Sequence, residues 1–264
     1  MITPHKANNR WVYMKVLKPT SNYLKNKARK NLAFAVLGIT GTLIIVFSSI
    51  PRLPIYINVG MFEAARGTFS LLPFIIGILF WRQYNTFKQG YEGEKHVSES
   101  LISTLSDEYY LINDVTLPPY YRGNIDHIVL SPKGIFVIET KNHRGKITYY
   151  GDEWLIQYRG KNKGGTEREF NYTLGSPSAQ VRNNAFRVKK VVELLEPLKS
   201  KRVWVQGIVV FPNKYAELYR NERPESVEVL TLYELLNYLK NYSGKQFSLE
   251  ELELIGKEIT KQAK

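Results

Sequence analysis

Asp126, Glu139 and Lys141 are the residues of this chain whose types and spacing could do chemistry together. Asp126 ends the run Gly123-Asn124-Ile125-Asp126, and the other two stand in Ile138-Glu139-Thr140-Lys141. Between them Ser131-Pro132-Lys133-Gly134 has the composition of a tight turn. The flanking stretches 124–130 and 135–141 are rich in Ile, Val and Phe and read as strands. With the turn at that place Leu130 faces Ile135, Ile128 faces Val137, and Asp126 faces Glu139. Residues two apart share a sheet face, so Lys141 projects beside the two acids. Directly opposed side chains sit about 5 Å apart at Cβ, where two carboxylates repel. A hard divalent cation such as Mg²⁺ or Mn²⁺ relieves that repulsion and is content with few carboxylates plus waters. Lys141 can then orient a water or stabilise charge developing on a phosphate. The plain alternative is a surface ladder in which Lys141 simply neutralises the acids.

Two further residues point toward the same place. Glu94 lies three residues before Val97 and seven before Leu101, on the apolar face of a helix predicted over 90–106. It is either a charge favoured by the helix dipole or a further ligand aimed at the sheet. Gln180 lies near the start of a helix predicted over 177–195, beside an inward Val181, placed for substrate or water or as a plain surface glutamine. His127 alternates away from the acids and belongs with core packing, whereas His143 is near enough to contribute.

The elements that must hold these side chains follow from periodicity. Besides the two helices and the central hairpin, strands are predicted at 109–117, 202–211 and 227–230, with a second hairpin of 145–150 and 154–158 turning at Gly151-Asp152. The nearly continuous apolar run at 202–211 marks a central strand. Residues 159–176, rich in Gly, Asn and Lys, read as a mobile loop, and 232–242 and 249–259 as closing helices. The order α-β-β-β-(β-β)-α-β-β-α-α describes an α/β sandwich around a mixed sheet.

The N-terminal third has a different character. Residues 31–51 carry no charge over 21 positions, the length of a membrane-spanning helix. About 30 residues precede this run and no small-residue cleavage site follows it, so a secretory signal does not fit. A second apolar run at 67–81 is shorter, about 22 Å as a helix. It spans if it extends back to Gly60 with Glu63 and Arg66 paired near the interface; otherwise it lies in the interface or on the first helix. A two-helix hairpin is the favoured arrangement. Eight Lys and Arg and no acid occupy the first thirty positions, which places the N-terminus in the cytoplasm. Two spans return the chain there at Arg82 and Lys88. The expected division is a basic cytoplasmic segment at 1–30, a membrane hairpin at 31–82, a catalytic core at 83–200 and a completing part of the α/β domain at 201–264.

Composition narrows the chemistry further. The net charge of +13 favours polyanionic partners, a nucleic acid or an anionic membrane surface. The absence of cysteine excludes disulfides, CxxC redox chemistry and Cys-ligated zinc. Neither an HExxH pair nor a GxxxxGK[ST] loop occurs, which argues against a zincin site and excludes a P-loop ATPase.

The runs Gly90-Tyr91-Glu92-Gly93-Glu94, Gly123 to His127, and Gly134 to Asn142, followed by Gly145, Trp154 and Pro177 to Gln180, together resemble the nuclease-related domain called NERD, of the PD-(D/E)XK nuclease superfamily. The likeness covers about 89–195. It implies a PD-(D/E)XK-like αβββαβ core with a mixed central sheet, here preceded by a transmembrane helical hairpin. It implies Asp126 and Glu139, with Glu94 as the first-helix acid, as metal ligands, Lys141 as the catalytic lysine and Gln180 as the later-helix glutamine. The superfamily's proline before the aspartate is replaced by Ile125. Electrostatic contacts to nucleic acid fall to Arg122, Arg144, Lys146, Arg159, Lys161, Lys163 and Arg168, and to Arg182, Arg187, Lys189 and Lys190 on the later helix. Tyr120, Tyr121, Tyr149 and Tyr150 are candidates for stacking on bases. The expected activity is metal-dependent hydrolysis of phosphodiester bonds, above all of DNA, at the cytoplasmic face of a cell membrane. The alternatives are a non-catalytic nucleic-acid-binding module and a protein-binding module of the same fold. Expected partners are nucleic acid and a lipid bilayer, with a homo-oligomer left open.

Overall fold

A computed structural model describes residues 6–7, 10–11, 13–49, 60–118, 123–161, 165–244 and 247–263. The chain divides into two compact units, 22–91 and, together, 1–21 with 92–264.

The first unit is helical. α1 (Tyr23–Ser49) and the first part of α2 (Gly60–Thr104) approach through glycines. A Cβ at Gly38 would stand 2.5 Å from the Pro73 carbonyl oxygen, and one at Gly77 3.0 Å from that of Ala35. Small residues at a helix contact let two backbones come this close. Phe34 and Phe80 meet alongside, ring centroids 5.0 Å apart. Leu37, Ile44, Leu71, Ile75 and Leu79 are exposed. Among the described residues one stretch, Tyr23–Ile45, is long and apolar enough to cross a membrane. The second apolar run lies within α2 and does not meet that measure by itself. The Glu63–Arg66 pairing falls outside the described side chains. α2 itself starts at Gly60 rather than at the expected Gly90, because nothing between Arg82 and Gln89 breaks a helix.

The second unit is built on two sheets. After the short pair β1 (Lys6–Ala7) and β2 (Arg10–Trp11) come β3 (Lys15–Lys18), β4 (Tyr110–Val115), β5 (Ile125–Ser131) and β6 (Gly134–Thr140). Then follow β7 (Gly145–Tyr150), β8 (Glu153–Lys161), β9 (Glu167–Thr173), α3 (Pro177–Glu193), β10 (Val205–Phe211), β11 (Ala216–Glu222), β12 (Val227–Thr231), α4 (Leu232–Asn241) and α5 (Leu249–Gln262). The main sheet has the order β12-β10-β6-β5-β4-β3 and is mixed: β6, β10 and β12 are parallel, and β5 is antiparallel to both β4 and β6. β10 is buried along its whole length, as its apolar run predicts. One sheet face packs Val181, Val188 and Val192 of α3 with Ile255 of α5; the other packs Val97 and Leu101 of α2 with Leu235 and Leu239 of α4.

The second unit departs from the expected elements at three places. The stretch 159–176 is not a loop: β8 runs on to Lys161 and pairs with β9, in a second sheet of order β11-β7-β8-β9. Its period-two pattern from Glu167 to Thr173 lacks a buried face, so it carries no burial signal. β11, between the strands expected at 202–211 and 227–230, borders that sheet beside β7. The basic N-terminal segment, for which no element was expected, contributes β3, which pairs in parallel with β4 at the edge of the main sheet. Lys15 donates to the Tyr110 hydroxyl (3.2 Å) and Lys18 to the Asp114 carbonyl (2.7 Å).

Candidate active site

The β5–β6 turn fixes everything that follows. Ser131 Oγ accepts from the backbone N–H groups of Lys133 and Gly134, each at 3.2 Å. From there the register runs Leu130↔Ile135, Ile128↔Val137, His127↔Ile138, so the next step sets Asp126 beside Glu139. At that step a side chain takes over the strand pairing: Asp126 Oδ2 accepts from the Thr140 N–H at 2.7 Å. Both acids are buried, Glu139 at 2% exposure and Asp126 at 9%. Lys141 is anchored by its backbone N–H to the Val210 carbonyl of β10 (2.9 Å). Its Nζ donates to Glu139 Oε1 at 2.7 Å and to Gln180 Oε1 at 3.3 Å. Gln180 is held in the first turn of α3, whose N-cap Ser176 accepts from the Ala179 N–H and whose first position is Pro177. Glu139 Oε2 is buried and has no hydrogen-bond partner among the described residues.

Glu94 reaches this end of the sheet from α2, and Gly93 is the reason it can. A Cβ at Gly93 would stand 2.6 Å from Asn142 Cβ, so only glycine lets the helix lie against the segment that follows Lys141. Burial raises the Glu94 carboxyl to about 7, the charges of Asp114 and Glu139 add to this, and Lys141 opposes it. Asp126 is held well above the ordinary carboxylate range by burial, then by Glu139 and Glu94, against the Thr140 N–H and Lys141. Glu139 is raised by burial against the pull of Lys141 and Gln180. Burial works against the Lys141 charge, but Glu139, Asp126 and Glu94 more than offset it and its affinity for the proton is raised. The site is thus three carboxyl groups competing over one cation. Among the described residues no group of three or more His, Asp or Glu is placed to hold a metal ion. The structure joins Glu139, Lys141 and Gln180 by hydrogen bonds, with Asp126 on the neighbouring strand and Glu94 on α2 at electrostatic range.

Asp114 is the acid that sequence reasoning missed. It stands near the end of β4 with φ at 54°, where the pairing steps from Asn113↔His127 to Val115↔Ile125. Asn124 Nδ2 donates to its Oδ1. The tolerance of Asp for that left-handed conformation is the only signal its sequence offered. His127 is on the other sheet face, as alternation predicts. Its Nδ1 meets Asn113 Oδ1 at 2.7 Å, and burial lowers it to about 3, so it stays neutral. His143 Nδ1 lies 3.0 Å from the Tyr172 hydroxyl.

The expected nucleic-acid contacts are dispersed. Arg144 and Lys146 are exposed and lie over the rings of Tyr158 (5.5 Å) and Tyr219 (4.3 Å). Arg159 and Arg168 are exposed on β8 and β9. Arg182 is engaged by Asp152 and by the Glu225 carbonyl (3.0 Å), Arg187 reaches the Gly123 carbonyl (3.5 Å), and Lys189 and Lys190 pair with Glu193. Arg122, Lys163, Tyr120, Tyr121 and the side chain of Lys161 lie outside the described residues. Tyr149 is not a stacking surface: it is 1% exposed and packs on Trp154 in the core, centroids 4.7 Å apart. Tyr150 is exposed.

All five residues expected to act lie between α2 and α3, around the β5–β6 hairpin. Residues 89–212 match the nuclease-related domain family, NERD. The NERD match therefore takes in Glu94, Asp126, Glu139, Lys141 and Gln180. It leaves out β3, β11, β12, α4 and α5, which complete both sheets and their covering layer. An uncharacterized protein of Bacillus anthracis is 25% identical over 171 residues, covering 63% of this chain and 73% of its own length. No solved structure matches the chain.

Proposed function

We propose that the chain is a membrane-anchored nuclease, dependent on Mg²⁺ or Mn²⁺, that hydrolyses phosphodiester bonds of DNA. The observation that carries this reading is the buried pair Asp126 and Glu139, with Lys141 bonded to one oxygen of Glu139 and the other oxygen unpartnered among the described residues. A buried carboxylate oxygen without a donor is costly to leave so, and an ion is a fitting partner. Asp126 and Glu139 would hold the ion together with waters, which suits an ion that takes only one or two carboxylates. When bound, it supplies activation of a water and charge stabilisation at the leaving oxygen. Lys141, kept charged and aimed by Glu139 and Gln180, would bind the scissile phosphate and neutralise charge as it develops. Glu94, near 7, can take up a proton close to neutral pH. A PD-(D/E)XK-like core is consistent with the αβββ order of α2, β4, β5 and β6 followed by α3 and β10.

The lack of a preformed three-residue cluster among the described residues favours a second reading, a non-catalytic nucleic-acid-binding module of the same fold. Titration of Mg²⁺ and Mn²⁺ into the full-length chain, in detergent, with single- and double-stranded DNA and RNA separates the two. Cutting that needs the ion and is lost in Asp126→Asn and Glu139→Gln supports the nuclease. Binding without cutting, unchanged in those variants, supports the module.

For the membrane, the pairing of β3 with β4 supports a hairpin. β3 precedes α1 and β4 follows α2, and two strands of one sheet must lie in one compartment. The chain between them therefore crosses an even number of times, and the basic N-terminus favours the cytoplasmic side.

A further inference from the structure

The second sheet has two faces of different chemistry. In register, Ile156 pairs with Tyr172, Tyr158 with Phe170 and Gly160 with Arg168, so these side chains share the face that carries Trp154 and Ile156 into the core. Beyond Ile156 that face leaves the core and becomes a shelf. Tyr158 and Phe170 stack with centroids 5.0 Å apart and planes 15° apart, and the Arg144 guanidinium lies over Tyr158. Tyr172 stands edge-on to Tyr158 at 6.2 Å. Phe170 and Tyr172 are each 38% exposed, on β9, which is an edge strand of this sheet among the described residues. A Cβ at Gly160 would meet Phe170 at 3.2 Å, so glycine there gives the rings their room. The acids of this sheet, Glu153, Glu167, Glu169, Glu217 and Glu222, fall on the opposite face by register. Among the described residues the shelf itself carries arginines and no acid. It also adjoins the candidate site, because Tyr172 is bonded to His143, two residues past Lys141.

We propose that this shelf stacks the bases of single-stranded DNA and leads the strand to Asp126, Glu139 and Lys141. The inference rests on the nuclease reading above and specifies its substrate as an unpaired strand. An aromatic face flanked by arginines binds bases without regard to sequence, since every base has a π-face and every linker a phosphate. Arg144 and Arg168 supply the charge, and the pile of Arg144, Tyr158 and Phe170 gains one further plane from each base added. A duplex, its bases already stacked and paired, gains nothing from such a shelf.

The test uses the full-length chain in detergent, with EDTA present so that binding is read apart from cutting. Probes are a 12-nucleotide DNA strand carrying 2-aminopurine, its duplex, and the RNA of the same sequence. The single DNA strand should bind more tightly than the duplex, with a change in 2-aminopurine emission on binding. Phe170→Leu and Tyr172→Leu should each weaken that binding about tenfold and leave duplex binding unchanged. Tyr158→Phe and Tyr172→Phe, which keep the rings, should bind as the parent does. Equal or tighter binding of the duplex, tighter binding of the RNA, or leucine variants that melt and bind like the parent would each overturn the proposal. Loss of ion-dependent cutting in all forms with the binding pattern intact would sink the nuclease reading and leave the shelf standing.

Discussion

Replacing Glu94 by glutamine should remove a pH dependence from the metal-free protein. In the folded chain burial and two neighbouring acids raise this carboxyl from an ordinary 4.5 to about 7. Folding therefore favours its protonated form. Below about 4.5 both folded and unfolded chains hold the proton and nothing is lost. Between there and about 7 the unfolded chain releases it first, and stability falls as pH rises. Above 7 the loss is complete, on the order of 3 kcal/mol for a displacement of that size. Asp126 and Glu139, also raised, fall in the same direction, so part of the slope survives in Glu94→Gln. In a domain of this size about 3 kcal/mol corresponds to roughly 6–12 °C in melting temperature. Melting followed by tryptophan fluorescence, to which the buried Trp154 contributes, in EDTA from pH 4.5 to 8, should show the parent losing stability toward neutrality. Glu94→Gln should melt higher than the parent above pH 7 and converge with it near pH 4.5. A parent whose stability is flat or rises over that range, or a variant with the same slope, refutes the assignment of Glu94 to the carboxyl group around Lys141. Saturating Mn²⁺ should flatten the parent's slope, because an ion bound by the acids favours their charged forms.

Lys141→Met should abolish cutting while Mn²⁺ binding, read by calorimetry, stays near the parent's, since lysine is not a ligand. Gly93→Ala should cost about 1–3 kcal/mol by forcing α2 off Asn142, and should reduce cutting with it, whereas Gly90→Ala meets only Leu24 at 3.6 Å and should melt at or above the parent; equal melting of the two variants would show that the contact at Gly93 is not tight. The chain has no cysteine, so Thr20→Cys and Lys261→Cys can be labelled one at a time with a membrane-impermeant thiol reagent in intact and opened cells. Both should be protected until the cells are opened; labelling of one alone in intact cells would contradict both the β3–β4 pairing and the hairpin.

What the sequence made legible was local. One tight turn between two apolar strands is enough to set Asp126 beside Glu139, and helical spacing is enough to put Glu94 with Val97 and Leu101. Turn chemistry and period are short-range, and the register found is the one that counting back from Ser131 gives. What stayed hidden depends on distant partners or on a missing burial pattern. β3 is four residues long and its Lys15 meets Tyr110 across 95 positions; nothing in Lys15-Val16-Leu17-Lys18 distinguishes an edge strand from a basic tail. β9 alternates correctly, but every residue in it is exposed, so hydrophobic contrast is absent and the nearby glycines dominate the reading. That misreading also concealed the shelf, since Tyr158, Phe170 and Tyr172 share a face only if 159–173 is a hairpin. Asp114 was hidden for a third reason: its position depends on a residue-specific backbone angle that no periodicity reports. Of the missed residues, Asp114 stands at the same end of the main sheet as the recognised ones. The local hairpin supplies the acids and the lysine there, and the long-range pairings decide what can approach them.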